Sequence, residues 1–262
     1  MKKIAIIGAG NMGSAIVRGL VDQGVFAAGE ICLTAKHEST LERLRSEFPG
    51  IGVGTNNAKA ASEAGIVVLA VKPWIAESVL QEIQAAFPAG TSRILVSVAA
   101  GISTESLRRA TGTDSVPIFV AIPNTAVSVG QSMTFLAADG ASNDQIQRIR
   151  TLFSCLGKVF LVPEKMLSAG TAIASCGIAF AMRYVRAATE GGVELGLPTD
   201  LARDAVLQTL KGASELLAAS GANPEAEIDK VTTPGGLTIR GLNKMEECGF
   251  SASVIQGLKA CR

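Results

Sequence analysis

Two glycine-rich turns in this chain have the residue types that bind anions. The first is Gly8-Ala9-Gly10-Asn11-Met12-Gly13, and the second is Thr233-Pro234-Gly235-Gly236-Leu237-Thr238. Apolar residues at helical spacing follow each turn. The first N–H groups of a helix have no internal partner, and the helix dipole places partial positive charge there. Because glycine lets a ligand come close to these groups, the sequence predicts one seat for phosphates and another for a small carboxylate.

The first turn follows a short apolar run and opens a helical pattern, which is the setting of a dinucleotide-binding Gly-x-Gly-x-x-Gly motif. Gly8 would make the turn, Gly10 would admit the pyrophosphate, and Gly13 would allow close packing of helix on strand. Asn11 and Met12 lie between these glycines. A glycine turn that serves packing alone is the alternative.

The second predicted strand decides the type of dinucleotide. It ends Leu33-Thr34-Ala35-Lys36-His37, without the acid that usually binds the ribose of NAD. The hydroxyl of Thr34 and the charge of Lys36 suit a 2′-phosphate, so NADP(H) is predicted. Glu38 leaves NAD(H) possible, and Lys36 as a plain surface charge is the alternative.

Two later strand ends are predicted to face the same cofactor, since ligands bind outside the carboxyl ends of parallel strands. These ends carry small residues that leave room for a nicotinamide and its ribose. They are Ala70-Val71-Lys72-Pro73 and Ala99-Ala100-Gly101. We expect Lys72 to contact the cofactor, with a catalytic role as the alternative.

The chain is poor in groups that handle protons. Its one histidine, His37, lies on the predicted adenosine side, and its one tyrosine, Tyr184, lies in an apolar helical segment. Reduction of a ketone needs a group that transfers the hydroxyl proton. A protonated C=N bond accepts hydride without an alkoxide stage, so imine reduction fits better. Lys72 keeps hydroxy-acid chemistry open.

The pattern of elements predicts an α/β protein with an N-terminal doubly wound sheet, followed by an all-α C-terminal domain. Short β-branched runs alternate with amphipathic segments in the first part. The predicted strands are 3–7, 31–34, 66–71, 94–98 and 118–121. Helical periodicity over about 165–195, 199–220 and 236–260 replaces them later. We place the boundary at residue 162, which gives domains 1–162 and 163–262.

Composition excludes several classes of protein. The net charge is +1, with one Trp and one Tyr, which argues against a nucleic-acid partner. Five cysteines without a C-x-x-C pair and a single His argue against a metal site and favour idle cytosolic thiols. The uncharged run 166–182 is rich in Ala, Ser, Gly and Thr. It is predicted as a helix packed between subunits rather than a membrane span, with a plain intramolecular bundle as the alternative.

With these residues in hand, the chain resembles the pyrroline-5-carboxylate reductase family over its whole length. The most specific match is Thr233-Pro234-Gly235-Gly236-Leu237-Thr238-Ile239. Further matches are Ile6–Gly13, Val71-Lys72-Pro73, Ser97–Gly101 and Pro123-Asn124-Thr125. The resemblance implies an enzyme that reduces 1-pyrroline-5-carboxylate to L-proline. It also implies an N-terminal Rossmann doubly wound sheet followed by an all-α C-terminal dimerisation domain. These helical domains interlock in dimers, which commonly assemble further into decamers. A cytoplasmic location is predicted separately, because the apolar run after Lys2-Lys3 is broken at once by Gly8 and Gly10, unlike an export signal.

The resemblance also assigns residues to roles. Asn11 and Met12 would lie on the dinucleotide, Asn56 would touch the adenosine ribose, and Asn124 and Thr125 would border the nicotinamide. The predicted substrate residues sit on the second turn: the amides of Gly235 and Gly236 would hold the carboxylate, Thr238 would hydrogen-bond the ring nitrogen as the catalytic residue, and Val231 and Thr233 would complete the site.

The chain departs from the family pattern in its helical part. The family usually has Ser-Gly-Ser-Gly-Pro-Ala-Tyr where this chain has Ala174–Phe180, so Cys176, Ile178 and Phe180 differ, and Arg186 replaces a common Glu. These changes affect helix shape and packing more than chemistry. Two rival hypotheses remain: a β-hydroxyacid dehydrogenase that uses a lysine, and a non-catalytic protein that senses NADP(H).

Overall fold

The computed structural model describes residues 2–261. Its first part is built on a sheet of eight strands in the order β3-β2-β1-β4-β5-β6-β7-β8. The strands are β1 Lys2–Ile7, β2 Ile31–Thr34, β3 Gly52–Gly54, β4 Ala64–Leu69, β5 Ile94–Ser97, β6 Ile118–Ile122, β7 Ser132–Asp139 and β8 Gly157–Leu161. All neighbouring pairs are parallel except β6 and β7. The order 3-2-1-4-5-6 is that of dinucleotide-binding sheets, which confirms the predicted fold.

Three strands were missed from the sequence. β3 is only three residues long and two of them are glycines, so it carries almost no pattern. β8 is partly exposed on both faces and begins Gly157-Lys158, which reads as a turn rather than a buried strand. β7 mixes Ser, Thr and Ala with its apolar residues, because it runs antiparallel to β6 near the edge of the sheet. Predicted strand 66–71 is shifted and lies at Ala64–Leu69.

Helices cover both faces of the sheet. They are α1 Asn11–Asp22, α2 Glu38–Glu47, α3 Asn57–Ser62, α4 Pro73–Ile83, α5 Thr104–Thr111 and α6 Asn143–Ser154. Alternate residues of β1 point to opposite layers: Ile4 and Ile6 join one buried cluster, and Ala5 and Ile7 join the other. Both layers are therefore packed, which is why the strands read as continuous apolar runs.

The predicted Ser-x-x-Gln capping box opens α6. The Ser142 hydroxyl accepts from the Gln145 N–H at 3.3 Å, and the Gln145 side chain accepts from the Ser142 N–H at 2.8 Å. This exchange satisfies two N–H groups that would otherwise lack partners at the start of the helix.

Helices continue after β8. A 3₁₀ turn at Glu164–Met166 leads into α7, a π-helical segment at Thr171–Cys176, and then α8. The helices are α7 Leu167–Gly170, α8 Gly177–Glu194, α9 Thr199–Ser220, α10 Pro224–Lys230, α11 Leu237–Glu247 and α12 Phe250–Lys259. The described chain divides into two compact units, one ending at Ser175 and the other beginning at Cys176. The boundary predicted at 162 falls just after the last strand.

The second unit has almost no buried core of its own. Among its described residues, Ala202 is the one buried apolar side chain. Large apolar side chains are exposed instead, including Met182, Leu195, Leu201, Leu216 and Ile255. Such a surface is typical of an element that is covered by a partner.

One helical stretch of the described residues, Glu164–Glu194, is long and apolar enough to cross a membrane by length and composition alone. A core helix of a globular protein meets the same criterion. The exposed side chains Arg183 and Arg186 lie within this stretch.

Candidate active site

Two glycines of the first turn are required by packing. Gly8 has φ +109°, its N–H donates to the Thr34 carbonyl at 3.2 Å, and an added Cβ would lie 2.7 Å from the Ala70 carbonyl oxygen. An added Cβ on Gly13 would overlap the Gly8 carbonyl oxygen and lie 3.1 Å from its carbon. These contacts press α1 against the ends of β1, β2 and β4.

Gly10 differs from its two neighbours. It is the exposed N-cap of α1, and an added Cβ would meet no atom of the described residues within 4 Å. None of the described side chains caps α1, and its first turn contains no acidic residue. Packing therefore does not require a glycine here, whereas close approach of a ligand to the helix N-terminus does. Asn11 is exposed and Met12 is half-buried beside this opening.

The structure brings the predicted strand ends to the same edge of the sheet. The Ala70 N–H donates to the Ile7 carbonyl at 2.9 Å, and the Val98 N–H donates to the Leu69 carbonyl at 3.0 Å. Ala99 is buried, while Ala100 and Gly101 are exposed, so small residues do border an open edge.

The region after β4 is exposed at the same edge. Val71 is half-buried, Pro73 begins α4, and Lys72 is exposed. The Lys72 ammonium lies 5.9 Å from the ring centre of Trp74, which is 79% exposed. A cleft of about 1130 Å³ runs between α4 and α5. Of the predicted cofactor residues, Pro73 and Gly101 line it.

The adenosine side contains one departure from the prediction. Thr34 is 1% exposed, and its buried hydroxyl oxygen has no hydrogen-bond partner among residues 2–261. This burial does not support direct contact between that hydroxyl and a 2′-phosphate, because the end of β2 turns the side chain into the packed layer. Lys36 is exposed, and Glu38 is paired with Arg45 at 2.8 Å.

Asn56 is exposed and caps α3, where its side-chain oxygen accepts from the Lys59 N–H at 2.8 Å. The capping bond uses one side-chain atom and fixes the orientation of the amide. Contact with a ribose through the rest of the side chain stays a prediction.

Asn124 is 8% exposed and both ends of its amide bond to the protein. The oxygen accepts from the Ala126 N–H at 3.1 Å, and the nitrogen donates to the Ala174 carbonyl at 3.3 Å. Its backbone N–H donates to the Ser132 hydroxyl at 3.1 Å. Its neighbour Thr125 is exposed. The side chain of Asn124 therefore holds the chain around the end of β6, in addition to any contact with a cofactor.

A second bond reaches the same π-helical segment. The Ser175 hydroxyl donates to the Pro123 carbonyl at 3.0 Å. Sequence reasoning missed Ser132, Ala174 and Ser175. The sequence can mark Asn124 as a candidate site residue, because it is a polar residue at the end of a strand. No local pattern predicts that its partner lies fifty residues away.

The second turn lies in the second compact unit. Gly235 has φ +68° and open space around it. Gly236 is the N-cap of α11, and an added Cβ would lie 2.5 Å from the Thr233 hydroxyl. Its N–H donates to the Thr233 carbonyl at 2.9 Å. The Gly236 amide is therefore engaged in the turn, which weakens its predicted role as a free donor to a carboxylate.

The start of α11 still offers donors. No acidic residue lies in the first turn of this helix and no described side chain caps it. Within the described part of the chain, the N–H groups of Leu237 and Thr238 therefore lack a side-chain partner. Thr238 is exposed at the second helical position, and Val231 is 63% exposed nearby in sequence. The Arg240 guanidinium donates to the Gly236 carbonyl at 3.4 Å, which adds positive charge at this end. The arrangement can bind a small anion and present one hydroxyl beside it.

No group of three or more His, Cys, Asp or Glu side chains suits a metal ion within the described part of the chain.

Two family models match this chain. The model described as pyrroline-5-carboxylate reductase dimerisation matches residues 164–262. The model described as NADP oxidoreductase, coenzyme F420-dependent, matches residues 3–101. The first covers the helical elements after β8, and the second covers the glycine turn and the following strand ends through β5.

Individual proteins of the same family are similar to this chain over almost its full length. The chain is 40% identical to pyrroline-5-carboxylate reductase 1 of Dictyostelium discoideum across 97% of its own residues, and spans 48% of that longer protein. It is 31% identical to pyrroline-5-carboxylate reductase of Escherichia coli K12, with 99% and 96% of the two chains covered. The crystal structure of Plasmodium falciparum pyrroline carboxylate reductase with NADP bound superimposes with a TM-score of 0.89. Its sequence is 27% identical, with coverage of 99% and 95%.

Proposed function

Because the chain belongs to the pyrroline-5-carboxylate reductase family, we propose that it reduces the C=N bond of 1-pyrroline-5-carboxylate to give L-proline, with NADPH as the preferred hydride donor. The matches to this family over almost the whole chain confirm the family predicted from the sequence. The observation that carries the proposed substrate is the uncapped start of α11, where Thr238 stands beside free N–H groups. A cyclic imine with one carboxylate matches that pair of features.

The first unit fits a phosphorylated dinucleotide. The open space at Gly10 and the uncapped start of α1 suit a pyrophosphate. Asn11 and Met12 flank that seat. The predicted residues from Ala70 to Pro73 and from Ala99 to Gly101 border the nicotinamide side with Thr125, and Asn56 borders the adenosine. When bound, the cofactor supplies the hydride.

Lys36 supports the preference for NADPH over NADH. It is an exposed cation directly after β2, and the nearby carboxylate of Glu38 is already paired with Arg45. An acid in that state competes poorly for ribose hydroxyls. NADH as the preferred donor is the alternative, and the two donors are separated by rate below.

The carboxylate of the substrate binds at the start of α11. The N–H groups of Leu237 and Thr238 donate to it, the open backbone of Gly235 gives it access, and Arg240 adds positive charge. Gly236 contributes by shaping the turn with Thr233. Val231 provides apolar contact for the ring.

Catalysis is then mainly positioning. The Thr238 hydroxyl hydrogen-bonds the ring nitrogen and orients the ring so that the carbon of the C=N bond faces the hydride. The imine enters protonated, so no residue needs to supply a proton to an alkoxide. The scarcity of acid–base groups in the chain agrees with this route.

The rival functions are less well supported. Lys72, the lysine required for hydroxy-acid chemistry, is exposed and lies beside Trp74 without a carboxylate or hydroxyl partner among the described residues. A purely sensory protein would not need the Thr238 hydroxyl at an anion seat. The matched dimerisation family and the exposed helical surface support self-association, and a decamer and a cytoplasmic location are the finer proposals.

The first test measures loss of absorbance when the purified protein meets 1-pyrroline-5-carboxylate with NADPH or with NADH. Oxidation of either coenzyme is expected, faster with NADPH. Binding of coenzyme without oxidation would favour the sensory alternative, and turnover of a hydroxy acid alone would favour the dehydrogenase.

Thr238→Ala tests the proposed catalytic residue. A hydrogen bond to a charged group contributes about 1.5–3 kcal/mol, so kcat/KM should fall roughly 10- to 150-fold. Thr238→Ser keeps the hydroxyl and should retain most activity. Thr209→Ala is the matched control, because its hydroxyl bonds the Ala205 carbonyl at 2.8 Å within α9. Full activity in Thr238→Ala would remove the role given to this hydroxyl.

A further inference from the structure

Two cysteines of the second unit lie together although they are far apart in sequence. Cys176 ends the π-helical segment before α8, and Cys261 follows α12. The Cys176 thiol lies close enough to the Cys261 thiol for Cys261 to raise its pKa. Both side chains are half-buried, so neither is sealed from small reagents. The proposed reduction reaction uses neither thiol.

The packing of the two helices explains why the thiols meet. One turn after Cys176 stands Phe180, and one turn before Cys261 stands Gly257. An added Cβ on Gly257 would lie 3.7 Å from the Phe180 ring, so the ring packs directly on the backbone of α12. The pairs Cys176–Cys261 and Phe180–Gly257 are therefore facing positions one helical turn apart on two antiparallel helices. Glycine at 257 permits the close approach that a short side-chain bridge requires.

The Cys261 thiol is held in place. It donates to the Gly257 carbonyl at 3.3 Å. This bond holds the Cys261 thiol on the side of α12 where Gly257 meets the Phe180 ring, which is the side nearest to Cys176.

We propose that Cys176 and Cys261 form a reversible intrachain disulfide when the protein meets a small-molecule disulfide such as oxidised glutathione. The thiolate of one cysteine attacks a sulfur of the small disulfide and releases one small thiolate. The second cysteine, after loss of its proton, attacks the resulting mixed disulfide and releases the other small thiolate. One protein S–S bond forms and one small S–S bond breaks. The two thiol protons pass to the two released thiolates, and the protein loses two electrons.

The dithiol is the resting state in a reducing cytosol. The hydrogen bond to Cys261, with burial and the neighbouring Cys261 charge, raises the pKa of the Cys176 thiol. A thiol that keeps its proton reacts slowly, so brief exposure to oxidant leaves the pair reduced. Once formed, the bond fastens the end of the described chain to the start of α8.

The test uses the purified full-length protein in its native state. The protein is incubated with oxidised glutathione, quenched by alkylation, digested, and analysed by mass spectrometry without reduction. We expect a cross-linked peptide pair that contains Cys176 and Cys261, a loss of two free thiols per chain, and complete reversal by a dithiol reductant.

Variants separate this pair from the other cysteines. Cys176→Ser and Cys261→Ser should each abolish the paired loss of thiols. Cys248→Ser is the matched control, since Cys248 is exposed in the same unit, and it should leave the cross-link intact. Circular dichroism checks that each variant is folded.

Three results would overturn the proposal. The first is a native protein that accumulates only glutathione adducts on Cys176 or Cys261. The second is a cross-link between chains, seen as a dimer on a non-reducing gel. The third is an intrachain cross-link that persists in folded Cys176→Ser.

Discussion

Gly10→Ala separates access for a ligand from stability of the fold. The backbone at Gly10 has φ −74° and ψ −172°, which alanine adopts without strain, and the new methyl group meets no atom within 4 Å. Alanine lowers the entropy of the unfolded chain, which stabilises the fold, but it is a weaker N-cap than glycine, which destabilises it. Because the two effects roughly cancel, the free energy of unfolding should change by less than about 1 kcal/mol.

The same methyl group stands where a pyrophosphate must approach the start of α1. Loss of one or two charge-assisted hydrogen bonds, at about 1.5–3 kcal/mol each, gives a total near 3 kcal/mol. That predicts a dissociation constant for NADPH raised roughly 100-fold. Isothermal titration calorimetry measures it, and fluorescence of the exposed Trp74, the chain's only tryptophan, gives a second signal.

Two further glycine variants serve as controls for steric overlap. Cβ atoms on Gly13 and Gly19 would overlap the carbonyl oxygens of Gly8 and Val127. Overpacking against backbone should cost about 3 kcal/mol, which lowers the melting temperature by roughly 6–12 °C. Gly19→Ala should lower the melting temperature without loss of NADPH affinity in the folded fraction. If Gly10→Ala binds NADPH as tightly as the unaltered protein, the pyrophosphate does not lie at this turn, and the cofactor assignment fails.

Three further substitutions test individual contacts. Lys36→Ala should raise the KM for NADPH roughly 5- to 30-fold, equivalent to about 1–2 kcal/mol, and leave the KM for NADH unchanged. Equal effects on both KM values would mean that Lys36 does not contact the 2′-phosphate. Asn124→Asp keeps the acceptor for the Ala126 N–H but loses the donor to the Ala174 carbonyl. Urea unfolding should show a loss of about 1–3 kcal/mol in stability. Unchanged stability would mean that the bond to Ala174 contributes nothing. Arg93→Met removes donors to three backbone carbonyls far from the proposed site. The free energy of unfolding should fall by about 2–3 kcal/mol, with both KM values unchanged. A changed KM would mean that this part of the fold also affects the proposed site.

The fold could be predicted where burial on both faces leaves a clear pattern. The central strands β1, β2, β4, β5 and β6 are covered by both helical layers, so each reads as an apolar run between glycine, proline or charge. Strands at the margins lack that property. β3 has a single side chain larger than hydrogen, and β8 is exposed over most of its length. Their pairing is set by the neighbouring strand rather than by local composition.

The candidate site divides in the same way. Gly8 and Gly13 could be predicted because their roles depend on neighbours within the same strand–turn–helix unit. The bond from Asn124 to Ala174 could not, since it joins positions fifty residues apart through a backbone carbonyl, which any residue supplies. For Thr34 the residue type suits a phosphate, but its place on β2 buries the hydroxyl, which the sequence alone does not reveal.

Both proposed anion seats rely on backbone N–H groups at helix starts, and this explains how the chain tolerates its departures from the family pattern. A backbone donor survives any substitution that preserves the local turn. At the second turn the Thr233 hydroxyl lies against Gly236, and the Gly236 N–H donates to the Thr233 carbonyl, so the turn itself is intact. The changes at Ile178 and Arg186 lie on α8, whose side chains are largely exposed within the second unit. They alter surface that a partner would cover, while the donors at the start of α11 stay as they are.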